Sequence, residues 1–220
     1  MQHRNLSALQ QLQRLHASSL QQPQLLEFLS TLTALTHLDL TYDAMTAVPA
    51  AAVWQRIPAL QALCLEEHVA ALEPAQSVLL LQGLAAATSL TSLALEGHIV
   101  HDSIQLCAYL TGLTRLQNLE MDGAHLARRA DVLHLTALTS LTGLELWDAA
   151  GVDDTAACAL ALRLKRLQKL NLFDCGLRSA AALPSIATLT GLTGLWLSVS
   201  SSMRLLTFRW GEMSCCCWRC

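Results

Sequence analysis

The stretch "LTALTSLTGLELWDAAGV", Leu135 to Val152, changes rhythm in its middle. Leu135, Leu138, Leu141 and Leu144 fall three apart, Leu144 to Leu146 is a step of two, and Trp147 and Asp148 follow at once. A step of two between apolar residues is the period of a β-strand with one face buried. The leucines three apart then line the approach to that strand.

Working outward, L-x-x-L-x-L recurs as "LTHLDL" from Leu35, "LQALCL" from Leu60, "LTSLAL" from Leu90, "LQNLEM" from Leu116, "LQKLNL" from Leu167 and "LTGLWL" from Leu192. With "LTGLEL" from Leu141, the intervals between first leucines are 25, 30, 26, 25, 26 and 25. A fixed period in this range marks a stacked-repeat solenoid, in which neighbouring units must stack before any leucine is buried.

On these residues the sequence resembles the leucine-rich repeat family, whose unit is L-x-x-L-x-L-x-x-N/C-x-L. The resemblance runs from Leu25 to Ser200, covers about seven repeats and is of the intracellular type. "LQKLNLFDCGL", Leu167 to Leu177, fits the whole unit with Cys175 in the N/C slot. Elsewhere that slot holds Asp43, His68, His98, Ala124, Ala149 and Ser200. The alanines lack the side-chain group that bonds neighbouring backbone in the family, so the ladder is expected to be incomplete. The resemblance implies an α/β solenoid with parallel strands on a concave face and short helices or irregular returns on the convex face. "DDTAACALALRLKR" and "SIQLCAYLTGL" read as helical returns, capped by Asp153 or Asp154 and by Asp102 or Ser103.

Residues 1–24 read as an N-terminal cap or decayed repeat, with "LQRLHASSL" (Leu12 to Leu20) as a decayed repeat or a capping helix; residues 25–200 as the repeat domain; and residues 201–220 as a Cys-rich tail out of pattern. The phase predicts another leucine motif near residue 217, where the chain reads "SCCCWRC".

Composition narrows the function classes. The chain has 220 residues, 53% hydrophobic but only 5% aromatic, so its apolar mass is Leu and Ala. A net charge of -3 supplies no basic field for nucleic acid or an anionic membrane. The N-terminus has no apolar run of the secretory kind, and the greasy stretch Val78 to Leu95 is explained by the repeat phase without a membrane span. A cytoplasmic chain is the default expectation. Cys64, Cys107, Cys158 and Cys175 are scattered as reduced thiols would be.

On the concave sheet that the resemblance implies, the column between the strand leucines reads Asp39, Cys64, Ala94, Glu120, Glu145, Asn171, Trp196; the next reads Thr41, Glu66, Glu96, Asp122, Trp147, Phe173, Ser198. The face is therefore expected to be acidic in the middle and aromatic toward the C-terminus. Like charges one strand apart repel by roughly 0.8 kcal/mol even at the dielectric of water, which a cationic partner would relieve. Glu66, Glu96, Glu120, Asp122, Glu145, Trp147, Phe173 and Trp196 are the candidate partner-binding residues, for a protein with a basic or mixed basic and apolar surface. Trp147 and Asp148 would both belong to that surface. Two plainer readings compete: the acids only keep a leucine-rich chain in solution, and the aromatics are covered by the tail's Leu205, Leu206, Phe208 and Trp210.

Catalytic signatures for phosphate, dinucleotide, acyl-transfer or zinc-protease chemistry are absent from the sequence. "EGHIVHD" brings His98, His101 and Asp102 together, but these fall on a ladder slot and a helix cap, so no metal and no cofactor is expected. "RLKRLQK", Arg163 to Lys169, reads as a solvated outer face. Cys215, Cys216, Cys217 and Cys220 leave a zinc or redox "CWRC" dithiol, S-acylation at a membrane, or no role at all as alternatives. The expectation is a noncatalytic protein-binding scaffold, of the kind the resemblance implies for cytoskeletal and ciliary (axonemal) complexes; the alternative is a membrane-peripheral protein held by an acylated tail.

Overall fold

Leucines three apart carry hydrogen bonds three apart. The N–H of Leu138 donates to the Leu135 carbonyl at 3.0 Å and that of Leu141 to Leu138 at 3.1 Å. The same pair of bonds links Leu29, Leu32 and Leu35, and again Leu110, Leu113 and Leu116. Such i to i+3 closures are 3₁₀-type turns, which eclipse residues three apart and set each apolar side chain on the inner side. Leu135, Leu138, Leu141 and Leu144 are accordingly no more than 1% exposed.

The computed structural model describes residues 10–18, 29, 31–42, 54, 56–67, 73–97, 104–122 and 126–198. Eight strands, β1 (Arg14–Ser18), β2 (His37–Tyr42), β3 (Ala62–Glu67), β4 (Ser92–Glu96), β5 (Asn118–Asp122), β6 (Gly143–Trp147), β7 (Lys169–Phe173) and β8 (Gly194–Leu197), form one sheet in chain order. Every pairing is parallel. β1 adds an eighth strand to the seven motifs: Leu12 and Leu15 hold the first two leucine positions and Ala17 the third.

Parallel neighbours need a crossover, and the returns supply it through α1 (Pro74–Ala86), α2 (Leu106–Leu110), α3 (Arg129–His134), a 3₁₀ turn (Leu135–Ala137), α4 (Asp154–Arg163) and α5 (Leu183–Ile186). Val78 to Leu95 is thus divided between α1 and β4, and among the described residues no helix is long and apolar enough to cross a membrane. One core joins strand leucines such as Leu93, Leu95, Leu144, Leu146, Leu170 and Leu172 to helix residues such as Leu80, Leu84, Leu106, Val132 and Leu160. Packing fades at both ends, where Leu12, Leu15, Leu192 and Leu195 are only partly buried.

A backbone ladder ties the repeats together where each strand begins. The carbonyls of Gln13, Thr36, Gln61, Thr91, Gln117, Thr142 and Gln168 each accept two N–H groups from the next repeat, all between 2.7 and 3.0 Å. The residue in this slot alternates between Gln and Thr along the chain. Each threonine hydroxyl adds a bond to the carbonyl behind it: Thr36 to Gln13 at 2.9 Å, Thr91 to Gln61 at 3.2 Å, Thr142 to Gln117 at 3.1 Å and Thr193 to Gln168 at 3.0 Å.

Polar links also join the returns. Asp153 caps α4, its Oδ1 accepting the Ala156 N–H at 2.9 Å, while its Oδ2 takes the Nε of Arg129 at 2.6 Å from α3. Asp154 accepts the Ser179 hydroxyl at 3.1 Å in the following repeat. α2 departs from expectation. It begins after Gln105 with no side-chain cap, and Asp102 and Ser103 lie outside the described residues. The Cys107 N–H of its first turn instead donates to Asp131 Oδ1, at 3.0 Å, from α3 in the next repeat. Asp131 is 3% exposed, and burial pushes its carboxyl up against the opposing pull of that hydrogen bond.

Candidate functional site

With the strand leucines turned inward, alternate residues stand on the other face of the sheet. Register sets Asp39 beside Cys64, Cys64 beside Ala94, Ala94 beside Glu120, Glu120 beside Glu145, Glu145 beside Asn171 and Asn171 beside Trp196. In the column one step toward the strand ends, Thr41 pairs with Glu66, Glu66 with Glu96, Asp122 with Trp147 and Trp147 with Phe173. A third column, absent from the sequence reading, lies at the strand starts: His37, Ala62, Ser92, Asn118, Gly143, Lys169 and Gly194. Arg14, in register with His37, heads the same column, which brings Arg14 and Lys169, two cations, onto a face read as acidic and aromatic alone. The same period of two, continued one step back from each first strand leucine, would have revealed it.

The acids fall into two groups. Toward the N-terminal end donors meet them: His16 Nδ1 lies 2.8 Å from Asp39 Oδ2, Thr41 donates to Glu66 at 3.3 Å, and the Cys64 thiol approaches Glu96 at 4.0 Å. Burial, with Asp39 and Glu96 beside it, drives the Cys64 thiol far above the ordinary range. Further along, Glu120 and Glu145 stand side by side without an ion pair or hydrogen bond among the described residues. Burial first, then Glu145 and Glu96, raise Glu120 to about 7. Asp122, at the strand end, is exposed.

The Trp147 and Phe173 rings meet with centroids 6.3 Å apart and planes tilted by 56°, the offset arrangement that ring quadrupoles favour. Phe173 is 45% exposed. Trp196 leans over its own strand: a Cβ on Gly194 would come within 2.8 Å of its ring, so glycine makes room for the indole. Asn171, between Glu145 and Trp196, is 7% exposed, and among the described residues its Oδ1 has no hydrogen-bond partner; neither has the Trp147 Nε1.

Asp148, exposed beside Trp147, also has a backbone role. Its φ is 53°, Asp174 one repeat later has φ 54°, and Gly97 at the same phase has φ 83°. This slot closes the strand through a left-handed residue, which Asp and Gly tolerate and β-branched residues do not. Asp148 is thus the turn residue that follows the last strand residue, Trp147.

Comparison with known proteins gives no match to a family model and none to a curated protein. Among solved structures, a leucine-rich repeat protein of Leptospira interrogans superposes with a TM-score of 0.55 at 16% identity, over 88% of this chain and 50% of that one. The chain has the leucine-rich repeat fold. It spans about half the length of that structure.

Within the leucine-rich repeat array, Cys175 fills the N/C slot as the motif requires, its thiol donating to the Leu146 carbonyl at 3.4 Å in the preceding repeat. Ala149 occupies the same slot at full burial and has no side-chain group to offer. The other slot residues, Asp43, His68, His98, Ala124 and Ser200, lie outside the described residues, as do His101 and Asp102. Cys64, Cys107, Cys158 and Cys175 are unbridged thiols. Among the described residues no group of three His, Cys, Asp or Glu is placed to hold a metal ion. Cys215, Cys216, Cys217 and Cys220, with Leu205, Leu206, Phe208 and Trp210, also lie outside the described residues.

Proposed function

We propose that the chain is a noncatalytic interaction module that binds a protein through the strand face of its repeat array. The observation that carries this reading is the Trp147 and Phe173 pair, in contact on the strand face with Phe173 exposed and Trp147 part-buried, beside a carboxylate pair with no cation of its own among the described residues. Large aromatics at a surface are the usual anchors of protein interfaces, and unpaired acids favour a basic partner by charge complementarity. The wider set, Glu66, Glu96, Asp122 and Trp196 with these four, forms the surrounding contact area. A cytoplasmic scaffold of cytoskeletal or ciliary type is the setting that the family resemblance implies, and the partner's identity would decide it.

The test is a pull-down from native extract with the full chain, beside a Trp147→Ala, Phe173→Ala, Glu120→Lys variant that keeps the parent's circular dichroism. A partner captured by the parent and lost by the variant is the expected result. Equal capture by both would remove function from the strand face and direct attention to the returns.

A further inference from the structure

We propose that the strand-start edge of the face, at β7 and β8, binds an acidic residue of the protein partner, with Arg166 and Lys169 taking the carboxylate and the Trp196 ring lying alongside. This rests on the reading of the strand face as the interaction surface and names one chemical group which that surface takes.

The basic run Arg163 to Lys169, expected on an outer face, divides in the structure. Arg163 closes α4, Lys165 and Arg166 lie on the approach, and Lys169 opens β7 on the strand face. The run contains no acid, and Arg163, Lys165 and Arg166 are exposed. Lys165 donates to neutral oxygens, the Ala161 carbonyl at 3.1 Å and the Thr188 hydroxyl at 2.8 Å, which leave its charge uncompensated. Arg166 and Lys169 form no ion pair among the described residues. Like charges crowded this closely favour an anion from outside.

Crowding alone would describe a solvated charge run. The second and independent observation lies beside Lys169. Register sets Gly194 next to it, and the point where a Cβ on Gly194 would stand is 2.8 Å from the Trp196 ring and 3.7 Å from the Lys169 Cγ. The missing Cβ lets the stem of a cation and an indole lie over one glycine. Trp196 is only part-buried there, and Phe173, four residues along β7 from Lys169, is 45% exposed. Lys169 and Phe173 are about 13 Å apart along the strand. An extended partner segment with an acid three or four residues from a large apolar side chain matches that span. A guanidinium holds a carboxylate through two parallel bonds, a neighbouring ammonium can add another, and an apolar wall strengthens both by excluding water.

The positive charge is local. The residues aligned with Lys165, Arg166 and Lys169 are Thr139, Ser140 and Gly143 in the preceding repeat and Thr190, Gly191 and Gly194 in the following one. At the far end of β7 stands exposed Asp174. A nucleic acid needs a row of phosphate contacts and finds no cation at these positions in either flanking repeat. A protein segment with one or two acids fits the patch as it is.

The probes are acetyl-Glu-Glu-Gly-Gly-Phe-Gly-amide and acetyl-Gly-Phe-Gly-Gly-Glu-Glu-amide, which offer acid and ring in both chain directions. Each is titrated into the full chain and followed by the indole N–H resonance of Trp196, which a Trp196→Phe variant identifies. Saturable binding of at least one is expected, about tenfold weaker or more when glutamine replaces both glutamates, and weaker in high salt. Arg166→Gln combined with Lys169→Gln, with unchanged circular dichroism, should reproduce that loss, while Arg178→Gln on the return side should not. Equal binding of the glutamine peptides, no saturable shift, or parental affinity in the double variant would overturn the site. Tighter binding of a single-stranded oligothymidylate than of either peptide would overturn the protein assignment and give the patch to nucleic acid. A gain in peptide affinity with Glu212→Gln would overturn the assignment to a partner and give the site to this chain's own C-terminal segment. Failure here is distinguishable from failure of the strand-face reading, because the pull-down variant changes neither Arg166 nor Lys169.

Discussion

Asp131, Asp153 and Asp154 on the return side each reach a donor in a neighbouring repeat, whereas Glu120 and Glu145 on the strand side reach none among the described residues. On the return side a carboxylate meets free helix N–H groups or an arginine, and it joins units that the sheet ladder holds only at their strands. On the strand side the backbone donors are consumed by the sheet and the acids divide: Asp39, Glu66 and Glu96 meet side chains of neighbouring repeats, while Glu120 finds Glu145. The return side spends these acids on cohesion, and the strand side leaves the Glu120 and Glu145 pair without that use.

The sharpest way to break this contrast is Asp131→Ala. It leaves the buried Cys107 N–H without its acceptor, and should lower stability by about 2 kcal/mol in urea unfolding. No measurable loss would mean that the return acids do not clamp repeats. Glu120→Gln should act in the opposite direction. Glu120 titrates near 7 in the fold and in the ordinary, lower carboxylate range when unfolded, so between those values the folded chain holds more protons. Stability therefore falls as pH rises through that window. The glutamine variant should be more stable than the parent at pH 8 by on the order of 1 kcal/mol once solvent screening is discounted, and equal to it near pH 4. A pH-independent difference would show that repulsion on the strand face is not felt.

Thr142→Val removes the hydroxyl bond to the Gln117 carbonyl while two N–H donors stay on that oxygen; about 0.5 kcal/mol is expected from the urea midpoint. Arg129→Ala should cost the least, roughly a few tenths of a kcal/mol, because the arginine is largely exposed. That small loss should shrink further in about 1 M salt, a response that Asp131→Ala would not share.

How much of this was legible in the sequence follows the reach of each interaction. The period of three resolved into i to i+3 turns and the period of two into strands, because both are local and leucine marks them. Two columns of the strand face followed from counting outward from the strand leucines, and Trp147 met Phe173 as that count required. The third column was missed because the count ran only forward from the first strand leucine. The turn role of Asp148 was not legible, because its backbone angle cannot be seen in one repeat. Comparison with Gly97 and Asp174 would have exposed the turn. The capping of α2 by Asp131 was not legible at all: donor and acceptor are 24 residues apart, in different repeats, and no motif announces the pair.

The alternation of glutamine and threonine along the carbonyl ladder gives the array a parity. Stacking geometry repeats with every unit, but the hydroxyl bond to the carbonyl behind recurs only with every second one. Excising two consecutive repeats would leave a threonine facing a glutamine at the seam and the pattern unbroken. Excising one would set like beside like, and where two glutamines met, that seam would be held by the backbone alone. By this count the smallest piece that can be copied or removed without trace is a pair.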